Sequence, residues 1–240
     1  MAITAIWGPP VSGKTTLAMD LSHAIAKSGK SVCLVSPEPY SEMSGLLNVM
    51  LMKPNSIEAA YHTGGSLRQT VYQLDGLLFL LAASYFSDAF EQEPFTGDVK
   101  NLLKELESTF EFVIVDCPSC SGNTMAAWAI NMAKTVILLT GFRSASGMWN
   151  KSFQRAIQAV DHKMLPVCVQ GSDNFDYRSL NRLIGITPRV LVPYISDAEA
   201  VQQIRKVLYD AGGKTGRAYN AAIDEICAVL KEAENEHQFV

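Results

Sequence analysis

The chain has 240 residues, 48% hydrophobic and only 18% charged, with a formal net charge of −4. That length suits one large α/β domain, taken as residues 1–240, and the apolar share can fill its core. The acidic balance excludes a dominant nucleic-acid surface, no apolar run reaches membrane-spanning length, and five cysteines without disulfide spacing fit a reducing cytoplasm.

Residues 3–7 read as a short apolar strand ending at Gly8. The stretch Gly8-Pro9-Pro10-Val11-Ser12-Gly13-Lys14-Thr15-Thr16 fits G-x-x-x-x-G-K-[ST], the phosphate-binding P-loop. It starts so close to Met1 that no signal peptide is expected. Leu17, Leu21, Ala24 and Ile25 then recur at helical spacing, and Lys27-Ser28-Gly29-Lys30 stops the helix. Residues 31–36 form a buried parallel strand that runs into Pro37-Glu38-Pro39. A carboxylate thus stands at a strand's C-terminal end, where open α/β sheets bind ligands.

Residues 40–52 mix loop and helix. Lys53-Pro54-Asn55 breaks them, Ser56 caps a helix over 57–62, and 63–66 turn. A third strand is predicted over 76–83, a polar loop or short helix over 84–96, and an amphipathic helix over 98–109. A fourth strand, 110–115, ends at Asp116. A helix at 126–133, a strand at 135–140, a helix at 147–160, a strand at 165–170 and a short helix at 176–183 follow. The last strand spans 189–192. Two helices, 197–211 and 215–234, close the chain. Strands alternate with helices throughout, which implies one doubly wound, mostly parallel sheet flanked by helices.

Two elements carry chemistry. A loop entering a helix aims several N–H groups into one concavity, next to the positive end of the helix dipole. Pro9 and Pro10 have no N–H, so the donors come from Val11, Ser12, Gly13, Lys14, Thr15 and Thr16. Lys14 adds a full charge near the β- and γ-phosphates, and Thr15 offers a hydroxyl to Mg²⁺. Phe112-Val113-Ile114-Val115-Asp116 has the Walker B form, an apolar strand whose terminal carboxylate holds Mg²⁺ through a water. Cys117-Pro118-Ser119-Cys120 reads as a proline turn with incidental cysteines, and no zinc is expected there.

The whole pattern resembles the MinD/ParA family of P-loop ATPases across nearly the full length. Four segments carry the resemblance: GPPVSGKTT, LVSPEP, FEFVIVDCPS and LVPYISDAEA. It implies ATP and Mg²⁺ as cofactors, with Gly8 and the loop residues at the phosphates and Thr15 and Asp116 at the metal. Gln170, Pro193 and Tyr194 fall where the family reads the base. Glu38 stands where the family has its water-orienting aspartate, so Lys14, Glu38 and Asp116 are the candidate catalytic residues. Two departures matter. Pro9 occupies the position of the family's signature lysine, which reaches across the dimer, and Ser36 replaces the first acid of its Asp-x-Asp. A divergent subgroup, such as the pilus-placing CpaE/TadZ proteins, tolerates such losses.

The resemblance implies a cytoplasmic, slowly hydrolysing ATP switch that positions or partitions a cargo. It would act through an ATP-dependent homodimer and an unidentified protein partner, with Arg143 and nearby loop residues as candidate interface contacts. The alternatives are an ATP-dependent metabolic enzyme of dethiobiotin-synthetase type and a nucleotide-binding scaffold. The acidic tail, residues 232–240, argues against membrane insertion. Arg205, Lys206, Lys214 and Arg217 read as a solvated helix face, allowing at most weak, salt-sensitive DNA binding.

Overall fold

A computed structural model describes residues 2–38, 40, 42–52, 55–62, 67, 70–85, 96–172, 174–196, 198, 201 and 207–235. Outside them fall Pro39, Lys53, Pro54, the 63–66 turn, most of the 84–96 loop, Asp197, Arg205, Lys206 and the last five residues of the tail.

Eight strands form a single sheet. They are β1 (Ala2–Trp7), β2 (Val32–Val35), β3 (Tyr72–Asp75), β4 (Leu78–Leu81), β5 (Phe112–Asp116), β6 (Thr135–Leu139), β7 (Met164–Val169) and β8 (Val190–Val192). Their order is β3-β4-β2-β5-β1-β6-β7-β8, and every neighbouring pair is parallel except β3 with β4. The inner strands are apolar at nearly every position because both faces are covered, as parallel sheets require. Alternation survives in which core each side chain joins. Ile6, Leu34, Phe112, Ile114, Ile137 and Leu139 face one side, packed with α1 (Lys14–Lys27) and the long C-terminal helix. Ile3, Ala5, Trp7, Val35, Val113, Val115 and Leu138 face the other, against α4 (Thr96–Thr109) and α5 (Thr124–Met132).

The remaining helices are α2 (Glu42–Leu46), α3 (Ile57–His62), α6 (Ser144–Ser152), α7 (Gln154–Ala159), α8 (Tyr177–Ile184) and α9 (Gly213–Asn235). Three expectations are corrected. The strand predicted over 76–83 is the second arm of a hairpin: β3 precedes it, and Gly76 turns the chain at φ 43°. Asp75-Gly76 is a hairpin signal, and β3 is mostly exposed, as an edge strand should be. The helix predicted over 147–160 breaks at Phe153, whose ψ is 8°. There the ring stacks on Trp149 at 4.5 Å and meets Trp7 edge-on at 5.4 Å. The helix predicted over 197–211 does not run through: Val207 is extended, and Leu208–Asp210 forms a 3₁₀ turn.

That turn is held by Asp20 of α1. Its carboxylate accepts the Tyr209 N–H at 2.9 Å and the Tyr219 hydroxyl of α9 at 2.5 Å. Burial pushes its pKa up to about 6, although these hydrogen bonds pull the other way. A folded-state pKa above the unfolded one means that stability is full at low pH and declines as pH rises from about 4 to about 6. Urea unfolding of wild type against Asp20→Asn should show this directly. Between pH 4.5 and 7.5 the wild type should lose about 2 kcal/mol relative to the variant. Parallel pH profiles would contradict the assignment.

Candidate functional site

Strands β1, β5 and β2 end nearly level: Ile6 pairs with Asp116, and Val35 with Val115. Their C-terminal ends deliver the P-loop, Asp116 and the Glu38 loop to one cleft of about 640 Å³. Pro10 through Thr16 line it, with Glu38, Glu42, Asp116, Ser119 and Phe142.

The loop's shape follows from two glycines. A Cβ on Gly8 would lie 2.8 Å from the Leu139 carbonyl oxygen, so only glycine lets the loop leave β1 against β6. Gly13 is left-handed at φ 88° and precedes α1, which has no side-chain cap at that end. An uncapped helix start with its N–H groups turned into a cleft suits an anion. Val11 is the surprise. It is left-handed at φ 54° and 60% exposed, a conformation that β-branched residues rarely adopt.

Lys14 is partly buried. Its Nζ donates to the Pro9 carbonyl at 3.0 Å and to Ser119 Oγ at 2.7 Å, both neutral acceptors. Burial lowers its pKa, against the opposing pull of Asp116 and Glu38. Thr15 Oγ1 donates to Asp116 Oδ2 at 2.8 Å, joining the start of α1 to the end of β5. Asp116 is only 6% exposed, and burial outweighs its bond from Thr15 and the charge of Lys14, pushing its pKa up to about 7. Its other oxygen, Oδ1, is buried with no hydrogen-bond partner among the described residues, and so is Ser12 Oγ. Two orphaned oxygens beside a lysine and a helix start are the donor set for a phosphate and a hard cation. Burial also raises the Glu38 pKa, Lys14 lowers it, and Glu42 raises it.

Of the other residues singled out from the sequence, Gly8 lies behind the loop rather than on the cleft wall. Gln170, Pro193 and Tyr194 are half-buried past the ends of β7 and β8, where the Gln170 N–H donates to Val192 O at 2.9 Å. They do not line the phosphate cleft; Val169, the residue before Gln170, packs 3.3 Å from the Cβ position of Gly13. Cys117 is buried, while Cys120 is exposed at the cleft. Sequence reasoning missed Ser119 as the lysine's partner, and also Phe142 and Glu42. The signal for Ser119 was its place three residues beyond Asp116, in a loop that must pass over the P-loop.

A family model described as an AAA domain matches residues 1–119, from β1 through the Asp116 loop. The septum site-determining protein MinD of Bacillus subtilis is 32% identical over 123 residues, 49% of this chain and 45% of MinD. The chromosome-partitioning ATPase Soj of Treponema pallidum is 28% identical over 117 residues, 46% of this chain and 45% of Soj. Over about half its length the sequence is similar to MinD and Soj. The matched stretch spans about half the length of these curated relatives. The fold likeness extends further. MinD from Pyrococcus horikoshii, solved with Mg-ADP, superposes at TM-score 0.75 and 15% identity, covering 97% of this chain and 99% of that one.

The left-handed Val11 sets a test of the loop's geometry. Val11→Gly removes a Cβ clash of about 1–2 kcal/mol and adds the greater unfolded-state freedom of glycine. Denaturant unfolding should show a net gain of roughly 0.5–1 kcal/mol. A loss of that size would mean that Val11 is not left-handed.

Proposed function

We propose that the chain binds Mg-ATP at this cleft, hydrolyses it slowly and uses the nucleotide to switch its contacts with other proteins. The observation that carries the proposal is the pair of orphaned oxygens, Asp116 Oδ1 and Ser12 Oγ, beside a lysine with only neutral partners. Thr15 and Asp116 would hold the Mg²⁺, as their existing bond already sets them side by side. Bound Mg²⁺ neutralises phosphate charge. The N–H groups from Val11 to Thr16 would cradle the phosphates, with Gln170, Pro193 and Tyr194 beside the base. Lys14 would give up Ser119 and Pro9 for phosphate oxygens, exchanging two neutral acceptors for charged ones.

Glu38 orients the attacking water in this scheme. Its raised pKa makes the carboxylate a better proton acceptor than a solvated glutamate. Positioning is most of what a protein supplies to phosphoryl transfer. Pro9 offers a carbonyl where the family has a cross-subunit lysine, and losing such a cation costs on the order of a thousandfold or more in rate. Slow turnover follows. An ATP-bound homodimer would then be held by other contacts and stabilised by a protein partner. MinD of Aquifex aeolicus has been solved as a MinC:MinD complex, which supports looking for a protein partner here. The exposed Arg143 beside Phe142 is a candidate interface contact.

Lys14→Ala should reduce Mg-ATP affinity by on the order of a hundredfold, the cost of two charge-assisted hydrogen bonds. Its thermal unfolding without nucleotide should stay close to wild type, because the lysine's present partners are neutral. Calorimetric titration reads the affinity. Equal binding by wild type and variant would remove the cleft as the nucleotide site.

A further inference from the structure

Asn123 joins the two loops that bring carboxylates to the cleft. Its Oδ1 accepts the Ala126 N–H at 2.8 Å, an ordinary N-cap for α5. Its Nδ2 reaches the other way and donates to the Pro37 carbonyl at 2.7 Å, next to Glu38. Capping explains the first bond only. An aspartate would cap α5 as well and could not make the second.

The second bond falls where the β2 loop has run out of sheet. The Ser36 N–H still pairs with Leu81 O at 2.9 Å. Pro37 has no N–H to continue the ladder, so its carbonyl is what remains to anchor it. Among the described residues no hydrogen bond holds the Glu38 carboxylate; burial and the charges of Lys14 and Glu42 act on it instead. Where that carboxylate sits is therefore set through the main chain. The loop that anchors Pro37 is also the one that carries Ser119, the partner of Lys14.

We infer that Asn123 is a positioning residue for hydrolysis: by holding the Pro37 carbonyl to the loop after Asp116, it sets the Glu38 carboxylate over the phosphate cleft. The inference rests on the water-orienting role proposed for Glu38. A displacement of about 1 Å at such a group costs on the order of a hundredfold in rate. Ground-state phosphate contacts come from the P-loop and are untouched, so affinity stays.

The test uses four full-length proteins: wild type, Asn123→Asp, Glu38→Gln and the double variant. Single-turnover ATP hydrolysis should fall by roughly 10–100-fold in Asn123→Asp, with Mg-ATP affinity within about twofold of wild type. In the Glu38→Gln background Asn123→Asp should cost nothing further, because both act on one water. Amide hydrogen exchange at Glu38 should quicken in Asn123→Asp, a readout that needs no turnover. If Glu38→Gln hydrolyses at the wild-type rate, the Glu38 role falls and takes this inference with it. If Glu38→Gln is slow while Asn123→Asp is not, only Asn123 loses its role. Additive losses in the double variant, an equal loss of affinity in Asn123→Asp, or unchanged exchange at Glu38 would each overturn it too.

Discussion

The hydrogen bond from Thr15 to Asp116 is the joint on which the cleft depends. It ties the first turn of α1 to the last residue of β5, across a register that brings both strands to the same level. The bond is made within the protein itself, between a hydroxyl and a carboxylate that the fold sets side by side. Preorganisation of this kind lowers the cost of binding, because the groups are ordered during folding. The core on the α1 face enforces it: Leu17, Leu21 and Ile25 are essentially fully buried against β2 and β5 neighbours. Asp20 adds a polar clamp, fastening α1 to the C-terminal 3₁₀ turn and to α9.

The electrostatics of the cleft are unbalanced as folded. Lys14 is turned onto two neutral oxygens while Asp116 sits buried with one oxygen unmatched and its pKa near 7. Burying charges without full pairing costs stability, and a bound cation and polyanion together would relieve both ends. The Ser119 contact gives that relief a structural consequence. If Lys14 turns to phosphate, Ser119 loses its partner, and Ser119 also accepts the Trp149 indole N–H at 2.8 Å through its carbonyl. Trp149 packs with Trp7 and Phe153, so a shift of the Asp116 loop would be felt at α6. The exposed Met148 lies on that helix.

Much of this was legible in the sequence. The P-loop pattern, the apolar strand ending at Asp116 and the regular strand–helix alternation suffice to place Lys14, Thr15 and Asp116 together at the C-terminal end of the sheet's strands. The strand order fits, because an inner parallel strand must be apolar on both faces, and β1, β2 and β5 are. Non-local packing was not legible. Nothing in the 147–160 pattern announces that Phe153 leaves the helix for Trp7 and Trp149, residues that meet only in the fold. The 197–211 pattern is helical by spacing, but Asp20, nearly two hundred residues earlier, draws Tyr209 into a 3₁₀ turn. Asn123 shows the same limit at the site. Its role as a helix cap is visible locally, whereas its bond to Pro37 depends on two loops converging. The Asp75-Gly76 hairpin, by contrast, was available in the sequence, and the apolar run after it hid the turn.

The proposed switch is tested most directly by the mass of the protein in solution with each nucleotide. Light scattering behind size exclusion should find one chain of 26.2 kDa with Mg-ADP and without nucleotide. With Mg-ATP, and most clearly in Glu38→Gln, the mass should move toward twice that value. A mass that stays at one chain with saturating Mg-ATP, in both wild type and Glu38→Gln, would contradict a nucleotide-driven pairing of two copies.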